Sequence, residues 1–185
     1  DYPWNWSIYK WIVGISANQL KFTNSELEIL AEDLAKFLNE LHLVSIENAP
    51  MGGLHNYYRG CHLSVYDNDA RSDIMKLSSI IDAAKALDVW EKAISLKWHK
   101  DPVWIHGDFA AGNILIEENQ LAAVIDFGCM GVGDPACDLV IAWTLLKGQS
   151  RDIFKEQLAL DADTWARARG WALWKALISL AALKE

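Results

Sequence analysis

The 185-residue sequence predicts an α+β fold, mainly helical with one short β-hairpin near its centre. Three observations carry that expectation. Long stretches on both sides of residues 103–125 repeat apolar residues every three or four positions, the period of a helix that buries one face. Within 103–125 the pattern changes to short apolar runs separated by polar turn residues, as in strands. At 52% apolar, 23% charged and 11% aromatic residues, the chain has the core of one globular domain and is neither disordered nor fibrous.

Residues 4–13, Trp-Asn-Trp-Ser-Ile-Tyr-Lys-Trp-Ile-Val, have the aromatic and β-branched content of a strand that Gly14 ends. Thr23 and Glu26 stand at capping-box spacing, and Leu27, Leu30, Leu34, Phe37 and Leu41 then form one apolar helix face. Glu28, Glu32, Asp33 and Lys36 fall on the solvated side. Residues 48–72, punctuated by Pro50, Gly52, Gly53, Asn56 and Gly60, read as a long connection of the kind that often carries function. Two helices are expected at about 71–86 and 88–98, because Ile74, Leu77, Ile80, Ile81 and Ala84 share a face and no Gly or Pro interrupts them. They end before Asp101-Pro102, where the proline disfavours helix in the residue ahead of it. Val103-Trp104-Ile105 is a short apolar run, and Ile114-Leu115-Ile116 and Leu121 to Ile125 flank the turn Glu118-Asn119-Gln120 as a hairpin. Helical periodicity returns over 136–147, 150–159 and 163–184, with Asp163 or Thr164 as the cap of the last helix.

Lys plus Arg is 17 and Asp plus Glu is 25, a net charge of −8 that argues against a nucleic-acid-coating protein and favours neutral or cationic partners. No window approaches the roughly 18 apolar residues of a membrane span, and no basic-then-apolar leader opens the chain, so a soluble, cytoplasmic protein with no membrane partner is expected. Cys61, Cys129 and Cys137 form no C-x-x-C pair; small core residues in a reducing compartment are expected rather than a disulfide or zinc framework. The ten tryptophans are scattered and read as packing residues, with Trp171 and Trp174 on one helix face. His55, His62 and His99 lack metal-ligand spacing. The chain opens on Asp1 and stops at Glu185 within a helical pattern that has no Gly or Pro stop, so a piece of a longer protein is expected.

The chemistry concentrates in His106-Gly107-Asp108-Phe109-Ala110-Ala111-Gly112-Asn113 and, after the hairpin, Ile125-Asp126-Phe127-Gly128. A hydroxyl attacking a nucleotide's terminal phosphate needs a carboxylate to orient it and accept its proton, and Asp108 can do that. Asn113, five residues on, can offer an amide oxygen to Mg²⁺. Asp126 can add a hard carboxylate oxygen, because a hairpin with strands of about four residues returns the chain to where it began. The plainer alternative is a polar turn with Asp108 and Asn113 as turn formers and Asp126 ending a strand. The offset, the intervening apolar hairpin and the aspartate before Phe-Gly match a kinase catalytic loop and metal loop.

These stretches resemble the aminoglycoside phosphotransferase family, small-molecule kinases with a protein-kinase-like fold. The likeness includes Trp-Ser-Ile-Tyr-Lys-Trp near the start, His55-Asn56-Tyr57-Tyr58-Arg59-Gly60, Ala122 to Gly128, and Gly133-Asp134-Pro135-Ala136-Cys137-Asp138-Leu139. By this resemblance Asp108 is the catalytic base, and Asn113 and Asp126 are the magnesium ligands. His106 would brace the loop, and Asp138 would hold its backbone from beneath. Asp134, beside Pro135, would rigidify the segment after the metal loop. Where protein kinases of the H-R-D type carry arginine, this chain has Gly107, so the cation that reads activation-loop phosphorylation is absent and a small-molecule acceptor is favoured.

The resemblance also implies a lobe that is not seen here. No strand-rich N-terminal lobe, phosphate loop or lysine paired with a helix glutamate precedes Trp4, and no G-x-x-x-x-G-K-[ST] occurs. The expected organisation is therefore a C-terminal lobe alone, with residues 1–14 as the hinge strand at the edge of the N-terminal lobe and 15–185 as the helical phosphotransferase lobe. The backbone near Lys10, Trp11 and Ile12 would face adenine over an apolar floor of Leu115 and Ile125, although both of these also read as plain hairpin core.

The expected activity is ATP- or GTP-dependent, Mg²⁺-assisted transfer of a γ-phosphoryl group to a small-molecule hydroxyl, an aminoglycoside before a macrolide, choline or a sugar. Asp67, Asp69, Asp134 and Asp138 are the candidates for a carboxylate-lined cleft that would attract a polycation. A different class, a non-catalytic binding module, stays open if the chain has no nucleotide lobe.

Overall fold

In the computed structural model, which describes residues 6, 8 and 10–183, the capping box at Thr23 is closed from both sides. The Thr23 N–H donates to Glu26 Oε2 at 2.8 Å and the Glu26 N–H donates to Thr23 Oγ1 at 3.3 Å. Such a cap is worth about 1 kcal/mol. It opens α1 (Asn24–His42), whose Leu27, Leu30, Ala31, Leu34, Ala35 and Leu38 are buried. Phe37 and Leu41, expected in the same stripe, are only partly buried and flank the core.

Further helices are α2 (Asp67–Lys76), α3 (Ala83–Ile94), α4 (Ile141–Thr144), α5 (Gln149–Leu158) and α6 (Ala162–Ala182). The strands are β1 (Ile15–Ser16), β2 (Val103–Ile105), β3 (Ile114–Glu117), β4 (Gln120–Val124) and β5 (Gly131–Gly133). They form two small antiparallel sheets, one in the order β1-β3-β4 and one pairing β2 with β5. The β3–β4 hairpin turns through Glu118 and Asn119, both at positive φ as a tight two-residue turn requires. It sets Ile114 opposite Val124 and Leu115 opposite Ala123. The predicted mainly helical α+β architecture is thus the observed one.

Several local expectations change. Trp4, Asn5, Ser7 and Tyr9 of the expected first strand lie outside the described residues. The described residues 10–13 pair with nothing, and the first ladder is the two-residue β1 beyond Gly14. The helix expected over 71–86 is two helices, because Asp82 turns its carboxylate onto the Lys85 N–H at 3.1 Å and starts α3 afresh. α3 stops at Ile94 rather than near residue 98. Residues 135–140 wind as a 3₁₀ turn before α4, in place of one helix over 136–147. The cap of α6 is Asp161, which accepts the Thr164 N–H at 2.8 Å, not Asp163 or Thr164. β5 was not anticipated: its glycines lack strand propensity but are demanded by close neighbours, Asn56 against Gly131 and the Gly60 backbone against Gly133.

α6 is the element on which the rest of the lobe leans. Gly170 lets it approach α3 closely, since a Cβ there would run into Ala93. Its Arg167, Trp171 and Trp174 follow at helical spacing and all three are buried. All three cysteines are free, but only Cys137 is a buried core residue; Cys61 and Cys129 are half-exposed. No described helix is long and apolar enough to cross a membrane.

Candidate active site

The catalytic-loop stretch is built on a buried floor. Asp138, fully buried, accepts the His106 N–H on Oδ2 at 2.7 Å and the Gly107 N–H on Oδ1 at 2.8 Å. The His106 ring spans the other direction. Its Nε2 donates to the Ile125 carbonyl at 2.9 Å, which leaves Nδ1 to accept the Asp108 N–H at 3.2 Å, so the partners assign the Nε2–H tautomer. Phe127 and Phe109 pack against that ring at 4.7 and 5.8 Å, and Phe37 stacks on Phe109 at 5.6 Å. Gly107 has φ +81°, and a Cβ there would collide with the Cys129 carbonyl. An arginine at this position, as in the H-R-D pattern, has no room.

Asp108 emerges on the open side, its side chain 40% exposed. Asn113 Nδ2 donates to the Asp108 carbonyl at 2.9 Å and to its Oδ2 at 3.2 Å. Lys175 Nζ, from α6, donates to Oδ1 at 2.6 Å. Burial pushes the Asp108 carboxyl up, but Lys175, then Arg59 and Asn113, outweigh it and hold the group below the ordinary carboxylate range. Because the Asn113 nitrogen is committed to Asp108, its Oδ1 is the atom left for a cation. The Asn113 carbonyl accepts the Ile125 N–H at 2.9 Å, which ties this loop to the residue before Asp126. Asp126 is exposed and held at φ 63°, a left-handed turn that an aspartate tolerates.

The chemistry of this donor set fits a hard divalent cation: one amide oxygen and one carboxylate suit Mg²⁺, which takes few protein ligands and completes its shell with water and phosphate. Among the described residues no group of three His, Cys, Asp or Glu side chains could hold a metal unaided. Water or phosphate oxygens would complete such a site.

The five residues expected against a nucleotide come together. Lys10, Trp11, Ile12, Leu115 and Ile125 line one cleft of about 540 Å³, with Gly14, Ile15, Ser16 and Gln19. Ile125 is the junction, since its side chain lines the cleft while its carbonyl and N–H hold His106 and Asn113.

Asp134 lies elsewhere. It caps the 3₁₀ turn through the Ala136 N–H at 3.0 Å and is gripped by Arg167, Nε to Oδ2 at 2.6 Å and a terminal nitrogen to Oδ1 at 3.3 Å, with both side chains buried. Asp67 is occupied by Arg71 and by the Trp90 indole N–H, each at 2.7 Å. Asp69 is exposed on the first turn of α2. Asp134, Asp138 and Asp67 are thus committed to the scaffold, so the four aspartates do not form the carboxylate-lined cleft that the charge balance suggests.

Two residues beside Asp108 escaped the sequence reading. Arg59 donates from Nε to the Gly107 carbonyl at 3.1 Å and from a terminal nitrogen to Tyr66 Oη at 3.1 Å, with its guanidinium 4.7 Å above the Trp174 ring. Its stretch, His55 to Gly60, stood out in the sequence, but nothing there showed where the side chain goes. Lys175 had no local signal at all. It follows Trp174, whose buried indole N–H has no partner among the described residues.

Comparison with known proteins bears on the family and the fold. Residues 1–172 match the phosphotransferase enzyme family. An aminoglycoside 3'-phosphotransferase of Escherichia coli is 28% identical over 120 residues, 64% of this chain and 44% of that protein. A probable aminoglycoside 3'-phosphotransferase of Lactococcus lactis is 27% identical over 142 residues, 76% of this chain and 52% of that protein. This chain thus spans about half the length of the curated relatives it matches. Among solved structures, a GDP and kanamycin complex of APH(2")-IIia superposes with a TM-score of 0.64 at 18% identity, covering 95% of this chain and 63% of that one. A macrolide 2'-phosphotransferase from Brachybacterium faecium superposes at 0.61 with 17% identity, covering 98% and 68%. These likenesses show the kinase-like larger-lobe fold.

Proposed function

Because the chain belongs to the phosphotransferase enzyme family, we propose that it serves in-line transfer of the γ-phosphoryl group of ATP or GTP to a hydroxyl of a small molecule. In this reading residues 15–185 are the larger, helical lobe and residues 1–14 the hinge segment leading into it. Asp108 is the base: it receives the acceptor hydroxyl on a half-exposed carboxylate that Lys175 and Asn113 orient and keep ionised. Asn113 and Asp126 hold the magnesium, which when bound neutralises charge on the nucleotide phosphates. Lys10, Trp11 and Ile12 present the cleft rim to the base of the nucleotide, and Leu115 and Ile125 form its floor. His106 and Asp138 keep the loop in register from below, and the Asp134–Arg167 pair stiffens the segment after the metal loop.

The single observation that carries this reading is the carboxylate of Asp108 standing open above a loop whose His106 and Gly107 N–H groups are held by the buried Asp138. An aminoglycoside is the leading acceptor, the class that the relatives' names carry. A neutral acceptor such as a sugar is the second reading, favoured by the cations, Lys175 and Arg59, that stand beside Asp108. The test uses the full-length protein with Mg²⁺, ATP or GTP, and a panel of aminoglycosides, macrolides, choline and sugars. Asp108→Ala should lower acceptor-dependent nucleotide consumption by about 10²–10⁴-fold while nucleotide affinity stays within a few-fold. Turnover that survives in Asp108→Ala would remove the base, and nucleotide binding without turnover on any acceptor would favour a binding module.

A further inference from the structure

Resting on the reading of Asp108 as the base, we propose that Lys175 is a further catalytic residue of the site, its ammonium contacting the phosphoryl group as that group passes to the acceptor. The starting point is reach. Lys175 Nζ sits 2.6 Å from Asp108 Oδ1. A hydroxyl oriented by Asp108 lies about 2.6–3.2 Å from a carboxylate oxygen, so the attacking oxygen is within about 6 Å of the ammonium wherever it docks on Oδ1. The phosphoryl oxygens around the phosphorus it attacks fall inside the sweep of a four-carbon side chain.

The second consideration is which cations are free to act. Asn113 and Asp126 place positive charge on the nucleotide side only when a metal is bound. Arg59 is the other cation beside Asp108, but its Nε and a terminal nitrogen are spent on the Gly107 carbonyl and Tyr66 Oη, and its plane is packed over Trp174 and Trp171. Lys175 has Asp108 as its one protein partner among the described residues, which leaves two of its three N–H donors for a ligand. Its carrier is rigid: Trp171 and Trp174 are buried and Arg167 is clamped to Asp134, so α6 delivers the stem to a fixed point.

Stability does not account for the residue. A pair in which the carboxylate is 40% exposed adds little to folding, whereas a cation beside the transferring group acts where charge spreads over the phosphoryl oxygens. In the step itself, the acceptor O–P bond forms as the bond from the γ-phosphorus to the bridging oxygen breaks. The leaving nucleoside diphosphate keeps that electron pair, Asp108 takes the hydroxyl proton, and Lys175 exchanges no proton.

The experiment compares the full-length wild type with Lys175→Met, Lys175→Gln and Lys175→Arg, using the best acceptor from the panel above. Two readouts are taken: steady-state kcat and KM, and the affinity for nucleoside diphosphate with Mg²⁺, with and without aluminium fluoride as a mimic of the transferring group. Lys175→Met and Lys175→Gln should lose about 100-fold in kcat with nucleotide KM within about threefold, and should bind the fluoride complex at least 30-fold more weakly with diphosphate affinity unchanged. Lys175→Arg should recover at least a tenth of kcat. Unchanged fluoride-complex affinity in a folded Met or Gln variant, or kcat within threefold of wild type, would overturn the assignment while leaving Asp108 in place. Wild-type-like turnover in Asp108→Ala under the same assay would overturn both together.

Discussion

Asp108 and Asp138 serve one loop, Asp108 as a member of it and Asp138 as the acceptor of the two N–H groups before it, and the structure puts them in opposite surroundings. Asp138 is fully buried and spends both oxygens on backbone N–H groups of the loop. Burial pushes its carboxyl up, against the pull of those N–H donors. Asp108 is 40% exposed, is bonded by side chains, Asn113 of its own loop and the distant Lys175, and is held down by Lys175, Arg59 and Asn113 despite its partial burial. The difference teaches how one carboxylate chemistry serves two ends. A group whose acceptors are filled by fixed backbone becomes a fastener, and a group whose partners are side chains keeps lone pairs free for a substrate.

That contrast is broken or confirmed first by deletion. Asp138→Ala leaves two buried N–H groups without acceptors, at roughly 1–3 kcal/mol each, and a small cavity besides. The expected loss is about 3–5 kcal/mol, a fall in melting temperature of roughly 10 °C for a chain of this size. Asp108→Ala, which removes a half-exposed pair, should cost no more than about 1 kcal/mol. Thermal denaturation of the two variants side by side decides it: equal losses would mean that the two aspartates are not divided between scaffold and chemistry.

The readable part of this division was the local part. Asp108, Asn113 and Asp126 sit at short, ordered offsets around one hairpin, and a hairpin brings its ends together by geometry alone, whereas the roles of His106 and Asp138 came from the family resemblance. The capping box at Thr23 was equally legible, because both partners lie within one turn. Lys175 meets Asp108 across 67 residues and Arg59 meets Gly107 across 48, and no helical or strand period marks such pairs. The break between α2 and α3 was hidden for a different reason: Ile74 to Ala84 keep helical spacing through a segment where Asp82 starts a new helix. β5 was hidden because close packing against Asn56 and Gly60 requires glycines, which carry no strand signal.

A second test of the contrast acts on the backbone that both aspartates share. Gly107 is at φ +81°, and its missing Cβ makes room for the Cys129 carbonyl, so the loop passes from floor to open face through a conformation that other residues adopt with strain. Gly107→Ala should cost about 2–3 kcal/mol from the positive φ and the displaced carbonyl together. It should also lower turnover, since Asp108 follows directly. A variant with wild-type stability, measured by denaturant unfolding, would show that the loop relaxes freely and that Asp138 does not pin it.

The effect that is smallest at neutral pH sharpens the comparison from outside the site. Asp138 shows what a buried titratable group does when its partners are complete, and His42, at the end of α1, shows the reverse. Its Nε2 is buried with no hydrogen-bond partner among the described residues, and burial pulls the imidazole from its ordinary 6.5 down to about 4. The folded chain therefore resists protonating His42, while the unfolded chain takes the proton readily. Between pH 6.5 and pH 4 the unfolded state binds more protons, so stability falls as the pH falls across that window and levels off below it. At 1.36 kcal/mol per pH unit the loss is about 3 kcal/mol at pH 4. His42→Leu removes the titration and should flatten this part of the pH profile while leaving stability near pH 8 within about 1 kcal/mol of wild type. Urea unfolding at half-unit steps from pH 8 to pH 4 reads it directly, and identical slopes in the two proteins would mean that His42 gains a partner on protonation and behaves like Asp138 after all.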